Sequence, residues 1–233
     1  MMETLFQTHG EPGRLICFEG IDGSGKSTVS RLLVEELRCR GVDAELLTTK
    51  AIRPDDAFAA RQLTVLKDAL WDYPVDGNLS VMGDRHWLCL IAAWFHALDA
   101  STIRPALGRG RTVVVDGWIY KFAARFALKP GLGEASALRA FEGLVKPDAT
   151  IFLDVPPELT ALRRAEFKPS EMGRFDGQKG DAKAAYVAYQ SRVRERYQGW
   201  SARLGWHCAV LADEPAEKVT EVVSHMIVGK MAA

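Results

Sequence analysis

Five short runs of apolar residues recur along the chain, separated by longer stretches in which apolar residues recur every third or fourth position. The short runs are typical of strands buried in a sheet, and the longer stretches are typical of helices that pack on it. The predicted strands are Arg14–Glu19, Val42–Thr48, Thr112–Asp116, Ala149–Asp154 and Trp206–Leu211. Because strands and helices alternate, the pattern predicts an α/β fold with a mostly parallel sheet and helices on both faces.

Predicted helices fill the stretches between the strands. One of them, Leu79–Leu98, is apolar on most sides, and we expect it to be largely buried. The segment Phe167–Gly180 is polar, rich in glycine and carries basic residues, which indicates a mobile loop. The other predicted helices are Ser27–Arg40, Asp56–Leu70, Pro157–Ala165, Asp181–Leu204 and Pro215–Val228.

The same pattern predicts the domain organisation. Residues 1–13 are polar and irregular, and we expect them to form a flexible tail. Residues 14–233 contain no repeat and no linker-like stretch, so they are predicted to form one domain with a lid at about residues 166–181.

Composition narrows the possible partners. The chain has 233 residues, and its 30 Lys and Arg residues balance 30 Asp and Glu residues. A neutral chain is a poor candidate for binding nucleic acid through its phosphates. No apolar run approaches the roughly 18 residues of a membrane span, and the first residues lack the apolar segment of a signal peptide. The four cysteines form no CxxC pair, so no zinc site is indicated and a cytoplasmic location is expected.

One motif carries specific chemistry. The segment Gly20–Ser27 matches GxxxxGK[ST], follows a predicted strand and opens a predicted helix. In such a loop the backbone N–H groups surround phosphate oxygens, Lys26 can reach the β- and γ-phosphates of ATP, and the Ser27 hydroxyl can bind Mg²⁺. The candidate ATP-binding residues are Gly20, Asp22, Gly23, Ser24, Gly25, Lys26, Ser27 and Thr28.

Four charged residues outside this loop are further candidates. Asp116 ends a β-branched strand, so its carboxylate is expected to lie near Mg²⁺ or the acceptor, or else to cap the next turn. Arg164 and Arg174 flank or lie in the mobile loop and are candidate catalytic residues, since phosphoryl transfer depends on charge stabilisation. A solvated charge run is the alternative. Arg85 either faces an acceptor pocket or pairs internally with a neighbouring carboxylate.

Taken together, the segments resemble the thymidylate kinase family, from about residue 14 to residue 227. The matching segments are Phe18–Thr28, Asp84–His86, Leu107–Asp116, Pro147–Arg164, Arg174–Asp176 and Tyr189–Tyr197. The resemblance implies a P-loop NTPase three-layer sandwich with a five-stranded parallel sheet and a short lid. It also implies ATP with Mg²⁺ as donor, a nucleoside monophosphate as acceptor, an arginine at position 85 that contacts the acceptor base, and a homodimer.

The resemblance breaks where the family contacts its acceptor. The family's Asp-Arg-Tyr is Asp116-Gly117-Trp118 here, so the arginine that contacts the transferring phosphates is missing. The family's Tyr-Gln pair is also absent from residues 121–126. Replacement charge is expected from Lys50, Arg53, Lys121 or Arg125. The candidate substrate residues are Asp22, Lys50, Arg53, Arg85, Trp118 and Arg125.

These residues lead to one main hypothesis and three alternatives. The main hypothesis is ATP-dependent phosphoryl transfer to a nucleoside monophosphate or a nucleotide-like small molecule. A hydroxyl acceptor stays open, for which Asp22 or Asp116 would serve as general base. The missing arginine also leaves open an acceptor other than dTMP, or a protein that binds ATP without turnover.

Overall fold

The computed structural model describes residues 6–48, 50, 54–72, 77, 79–212 and 214–231. Within these ranges the five strands are β1 (Arg14–Glu19), β2 (Ala44–Thr48), β3 (Thr112–Asp116), β4 (Ala149–Asp154) and β5 (His207–Val210). They form one parallel sheet in the order β2-β3-β1-β4-β5. Because β1 lies in the centre of the sheet, its carboxyl end is next to the carboxyl ends of β3 and β4. The segments that follow these three strands are therefore neighbours at one edge of the sheet. The predicted α/β class and the five-stranded parallel sheet are confirmed.

Helices cover the sheet. They are α1 (Lys26–Cys39), α2 (Ala57–Trp71), α3 (Gly83–Leu98), α4 (Arg104–Gly108), α5 (Tyr120–Ala127), α6 (Gly133–Arg139), α7 (Pro157–Leu162), α8 (Ala182–Leu204) and α9 (Ala216–Met231). A π-helical segment, Asp99–Ile103, joins α3 to α4. The Asp56 and Asp181 side chains cap α2 and α8, accepting hydrogen bonds from backbone N–H groups three residues later. None of the helices in the described ranges has the length and apolarity needed to cross a membrane.

The sheet separates two apolar cores. Alternate residues of one strand face opposite sides, so neighbours in sequence enter different cores. Cys17 and Val113 join the larger core with α3, α5 and α8, whereas Ile16 and Val114 join the smaller core with α1 and α9. This is the three-layer arrangement that the sequence predicted.

Two predictions about helices need correction. The helix predicted to begin at Leu79 begins at Gly83, because Leu79–Met82 forms a 3₁₀ turn and Gly83 has φ +70°. This helix is also only half buried, since Leu88, Ile91 and Phe95 are buried while Arg85 is exposed.

Three short helices were not predicted. The helices α4, α5 and α6 fill residues that the apolar pattern left without an assigned element. In α5 the small side chains of Ala123 and Ala124 are buried, and Lys121 and Arg125 lie on the face that meets the site. The helix α5 has only eight residues, which is shorter than the window over which apolar periodicity is detected, and this explains why the pattern missed it.

The described part of the predicted tail is attached to the domain. The Gln7 N–H donates to the Leu144 carbonyl oxygen at 2.9 Å, and the Lys146 N–H donates to the Gln7 carbonyl oxygen at 2.9 Å. Phe6 is buried against the Tyr120 ring, with the ring centroids 5.7 Å apart. An aromatic side chain and a pair of backbone hydrogen bonds therefore fix residues that their polar surroundings predicted to be flexible.

Candidate active site

The phosphate loop follows β1 at the carboxyl edge of the sheet and turns through glycines with positive φ. A Cβ atom added at Gly20 would lie 2.8 Å from the Leu153 carbonyl oxygen, so this position excludes a side chain. Gly25 has φ +92° and is the N-cap of α1. The first turn of α1 therefore directs its unpaired N–H groups into the loop, where they form an anion-binding site.

Lys26 lies at the centre of this loop. Its ammonium group donates to the carbonyl oxygens of Gly20 and Ile21, each at 2.8 Å. Burial lowers the pKa of Lys26, and the charge of Asp22 opposes that effect. The ammonium group is thus held inside the loop, within reach of a phosphate that binds there.

The two predicted Mg²⁺ ligands lie in the same cavity. Ser27 and Asp116 both line a cavity of about 590 Å³ over the phosphate loop. Asp116 pairs in register with Phe18 of β1, which places it at the same edge of the sheet. Among the described residues no group of three or more His, Cys, Asp or Glu side chains could hold a metal alone. One carboxylate and one hydroxyl suit a Mg²⁺ ion that arrives with ATP, because Mg²⁺ keeps phosphate oxygens and water as its other ligands.

Asp22 of the loop binds two cations from α5. Its carboxylate oxygens lie 2.5 Å from the Lys121 ammonium group and 2.5 Å from the Arg125 guanidinium group. Burial alone would raise the pKa of Asp22, but the charges of Lys121, Arg125 and Lys26 hold it far below its ordinary value. The loop and α5 are therefore joined by charge-assisted hydrogen bonds, which are among the stronger polar contacts in proteins.

The cavity carries an excess of positive charge. Lining it are five basic side chains and three acidic ones: Lys26, Lys50, Lys121, Arg125 and Lys168, with Asp22, Asp116 and Glu171. Burial lowers the pKa of Lys50, and repulsion from Lys168 and Lys121 lowers it further. Mutually repelling lysines around a phosphate loop are the arrangement expected of a site for several phosphate groups.

A second cavity, of about 620 Å³, opens beside the first. Trp71, Phe122, Arg125 and Ser170 line both cavities, so the two spaces meet at these residues. The second cavity has aromatic walls, formed by Trp71, Trp87, Phe122, Phe126, Phe175 and Tyr189. An apolar, flat-walled space that joins a phosphate site is suited to the base and sugar of a nucleotide.

The two candidate arginines of the lid lie in different places. The Arg164 Cδ atom lies 3.4 Å from the position of a Cβ added at Gly23, so Arg164 contacts the phosphate loop, where it is held by an ion pair with Glu171 at 2.7 Å. Arg174 instead donates to the Gln178 and Gly180 carbonyl oxygens and lines the second cavity. The structure thus brings only Arg164 to the donor loop.

The remaining predicted substrate residues are partly assembled. Lys50 lines the first cavity, with its ammonium group 5.1 Å from the centroid of the Trp71 ring. Trp118 is at the cavity wall, but its side chain is buried against Phe95. Arg85 is exposed and lines neither of the two described cavities. Arg53 lies outside the described residues.

Sequence reasoning missed Lys129. It lines the second cavity and pairs with Asp84 at 2.9 Å and Asp176 at 2.5 Å. The available signal was spacing, because Lys121, Arg125 and Lys129 follow one another at intervals of four residues, which is the spacing of side chains on one helix face, although α5 ends at Ala127.

A parallel sheet of this order, a phosphate loop after its central strand and an adjoining aromatic cavity define a P-loop nucleotide kinase fold. The family model for thymidylate kinase matches residues 18–223. A thymidylate kinase of Jannaschia sp. is 37% identical over 222 residues, 93% of this chain and 94% of the relative. A thymidylate kinase of Dinoroseobacter shibae is 32% identical over 225 residues, 94% of this chain and 98% of the relative. A thymidylate kinase of Caenorhabditis elegans is 32% identical over 156 residues, 67% of this chain and 69% of the relative.

The chain belongs to the thymidylate kinase family. It is a phosphotransferase that uses ATP to phosphorylate a nucleoside monophosphate. Membership favours this activity over the hydroxyl acceptor and over ATP binding without turnover, both of which the sequence left open.

Proposed function

We propose that the chain transfers the γ-phosphoryl group of ATP to dTMP, the substrate in its relatives' names, and that Lys121 and Arg125 hold the acceptor phosphate. One observation carries this proposal. Both cations of α5 lie against Asp22 of the phosphate loop, and Arg125 lines both cavities. An acceptor phosphate at the junction would therefore meet Arg125 on one side and the γ-phosphate of ATP on the other.

The other residues take roles that follow from their positions. Lys26 and the N–H groups of the loop would hold the β- and γ-phosphates, and Arg164 would add positive charge beside Gly23 as charge shifts during transfer. Ser27 and Asp116 would hold Mg²⁺, which neutralises charge on the phosphates when it is bound. No general base is required, because the attacking oxygen belongs to a phosphate that is already an anion.

The missing family arginine was the reason to consider an acceptor other than dTMP. Gly117 stands at that position, and its N–H donates to the Phe18 carbonyl oxygen at 2.9 Å. Lys121 lies in the first turn of α5, only four residues after Gly117, and its charge acts on Lys26. A cation close to Lys26 supports the proposal that α5 supplies the charge of the missing family arginine. The glycine at position 117 is therefore no argument against dTMP as the acceptor.

The activity itself is tested by phosphoryl transfer from ATP to a panel of nucleoside monophosphates, followed as ADP formation. We expect turnover of dTMP, and we expect Lys26→Ala to lower kcat by roughly a hundredfold or more, because one charged contact to the transferring group is lost. The melting temperature should change little. Lys183→Ala, at an exposed position on α8, is the control. Near-normal turnover by Lys26→Ala, or no turnover of any monophosphate by the wild type, would contradict the proposal.

The role of α5 is tested separately with Lys121→Met and Arg125→Met. Methionine keeps most of the side-chain volume and removes the charge. We expect the KM for dTMP to rise by roughly 10- to 100-fold in each variant, the range for a lost charge-assisted contact, while the Kd for ATP changes far less. Arg139→Met, at an exposed position on α6, is the matched control. If the KM for dTMP stays within about threefold of the wild type, the acceptor phosphate is held elsewhere.

A further inference from the structure

The second cavity contains three ionised side chains that the transfer mechanism does not use. Lys129 lies just beyond α5, Asp84 lies in the first turn of α3, and Asp176 lies in the 3₁₀ turn of the lid. The Lys129 ammonium group is 2.9 Å from an Asp84 carboxylate oxygen and 2.5 Å from an Asp176 carboxylate oxygen, and it donates to the Phe175 carbonyl oxygen at 3.1 Å. Three separate parts of the chain thus meet in one group, which we call the acid–lysine triad.

The triad is largely shielded from water. The side chain of Lys129 is 13% exposed and that of Asp176 is 8% exposed, whereas that of Asp84 is 40% exposed. Burial lowers the pKa of Lys129, but its bonds to the two carboxylates outweigh burial and leave that pKa raised. Charged groups inside an aromatic cavity cost free energy unless they are paired. One ammonium group between two carboxylates leaves a net negative charge and carboxylate lone pairs free to accept further hydrogen bonds.

The position of the triad relates it to the phosphate site. Lys121 lines only the first cavity, Arg125 lines both, and Lys129 lines only the second. Lys121 and Arg125 are one helical turn, about 5.4 Å, apart along α5, and Lys129 follows two residues after the end of α5 at Ala127. A nucleotide whose phosphate lies at Arg125 would therefore extend its base towards Lys129.

We propose that the acid–lysine triad of Asp84, Lys129 and Asp176 recognises the hydrogen-bonding edge of the acceptor's base, which makes Lys129 a specificity-determining residue. A carboxylate accepts from a ring N–H group, and the ammonium group exchanges its hydrogen bond to the Phe175 carbonyl oxygen for one to the adjacent carbonyl oxygen of the base. The bases that offer a ring N–H beside a carbonyl are thymine, uracil and guanine; cytosine and adenine offer an amino group beside an unprotonated ring nitrogen. The inference rests on the proposed function, since it concerns the acceptor of that reaction.

Matched acceptors test this inference. The pairs dUMP and dCMP, and dGMP and dAMP, differ at the edge in question. For the wild type we expect kcat/KM to favour dUMP over dCMP and dGMP over dAMP. Lys129→Met should reduce each ratio by about tenfold or more while the KM for ATP stays unchanged, because a polar site rejects a base that leaves its groups unpaired. Asp84→Asn, which keeps the shape of the side chain, should also reduce the ratios.

Two further variants make the result decisive. Lys183→Met is the control for loss of a lysine charge, and Arg85→Ala tests the residue that the family resemblance assigns to the base. If Lys129→Met lowers kcat/KM equally for all four acceptors, Lys129 has a structural role, and if it leaves kcat/KM unchanged, Lys129 has no role in this reaction. Either result would overturn the inference. Loss of the ratios in Arg85→Ala but not in Lys129→Met would assign base recognition to Arg85 instead. If the wild type phosphorylates no monophosphate, the proposed function has failed, which is a different outcome from any of these.

Discussion

At the scale of single residues, Glu19 shows how the site restrains one ionisable group. It ends β1 directly before the phosphate loop and has no exposed surface. Its carboxylate accepts from the Trp118 N–H at 2.8 Å. Burial raises the pKa of Glu19 to about 7, against the opposing effects of that hydrogen bond and of Lys26. The native protein therefore holds a proton on this group at pH values where the unfolded chain has lost it.

Stability should consequently depend on pH through Glu19. Because the pKa of Glu19 is higher in the native state than in the unfolded chain, the contribution of Glu19 to stability is fully present below its ordinary pKa. This contribution is lost as the pH rises through about 7. We expect the free energy of unfolding of the wild type to fall by about 3 kcal/mol between about pH 4.5 and pH 8. In Glu19→Gln this decrease should be absent. Urea denaturation at a series of pH values measures this. Glu142→Gln, at an exposed position, should keep the wild-type slope, and the same slope in Glu19→Gln would contradict the prediction.

The residues of the site differ in how far the sequence predicted them. Lys26, Ser27 and the glycines belong to one contiguous loop whose geometry is local, so the motif was enough. Lys129 could not be found this way, because Asp84 and Asp176 reach it only after α3 and the lid pack around it. Arg85 lies in a matching motif, yet its side chain is exposed. A motif specifies residue types, but packing decides which side chains face a cavity.

At the scale of elements, the lid depends on one close approach. Its 3₁₀ turn, Arg174–Asp176, is bounded by Gly173 at φ +65° and Gly177 at φ +83°. A Cβ atom added at Gly173 would lie 2.5 Å from the Tyr189 ring of α8, whereas the same atom at Gly177 would meet open space. The two glycines thus share a backbone conformation but differ in packing, which makes them a matched pair.

We expect Gly173→Ala to displace the lid from α8, and Gly177→Ala to leave the lid in place. Both changes carry the backbone strain of a left-handed residue, about 1–2 kcal/mol, so comparison of the two removes that effect. Because Arg174 and Asp176 of the lid line the second cavity, where we propose that the acceptor binds, Gly173→Ala should lower kcat/KM for dTMP by about tenfold more than Gly177→Ala. Steady-state kinetics of both variants decides the matter. Equal losses would show that the contact with Tyr189 does not position the lid.

At the scale of the whole molecule, the exposed apolar surface suggests how two copies would meet. The helix α3 packs its apolar side into the core. On α2, Phe58 and Val65 are instead 71% and 58% exposed and are seven residues apart, so they share one face. A pair of exposed apolar side chains on one face of a helix supports the homodimer that the family resemblance implies.

We therefore expect the protein to sediment as a dimer, and the double variant Phe58→Glu, Val65→Glu to sediment as a monomer with a similar far-ultraviolet circular dichroism spectrum. At a symmetric interface the two introduced glutamates of one copy would face those of the other copy. Repulsion between buried like charges is strongly unfavourable. Val210→Glu is a control at an equally exposed apolar position on β5, and it should leave the dimer intact. Sedimentation velocity at several concentrations gives the answer. A wild type that stays monomeric at all of them would contradict the prediction.

Gly117 has a consequence for how this site can change by mutation. Its φ is +84°, so arginine or any other side chain at position 117 would be strained by about 1–2 kcal/mol unless the backbone moves. An arginine at this position would line the same cavity as the cations of α5, which already compensate Asp22. An arginine at position 117 and the cations of α5 are therefore alternative sources of positive charge in the first cavity. A series of single substitutions that exchanges one for the other would pass through a variant with backbone strain or with excess positive charge. Replacement of one arrangement by the other would therefore require transplanting residues 116–129 as one block.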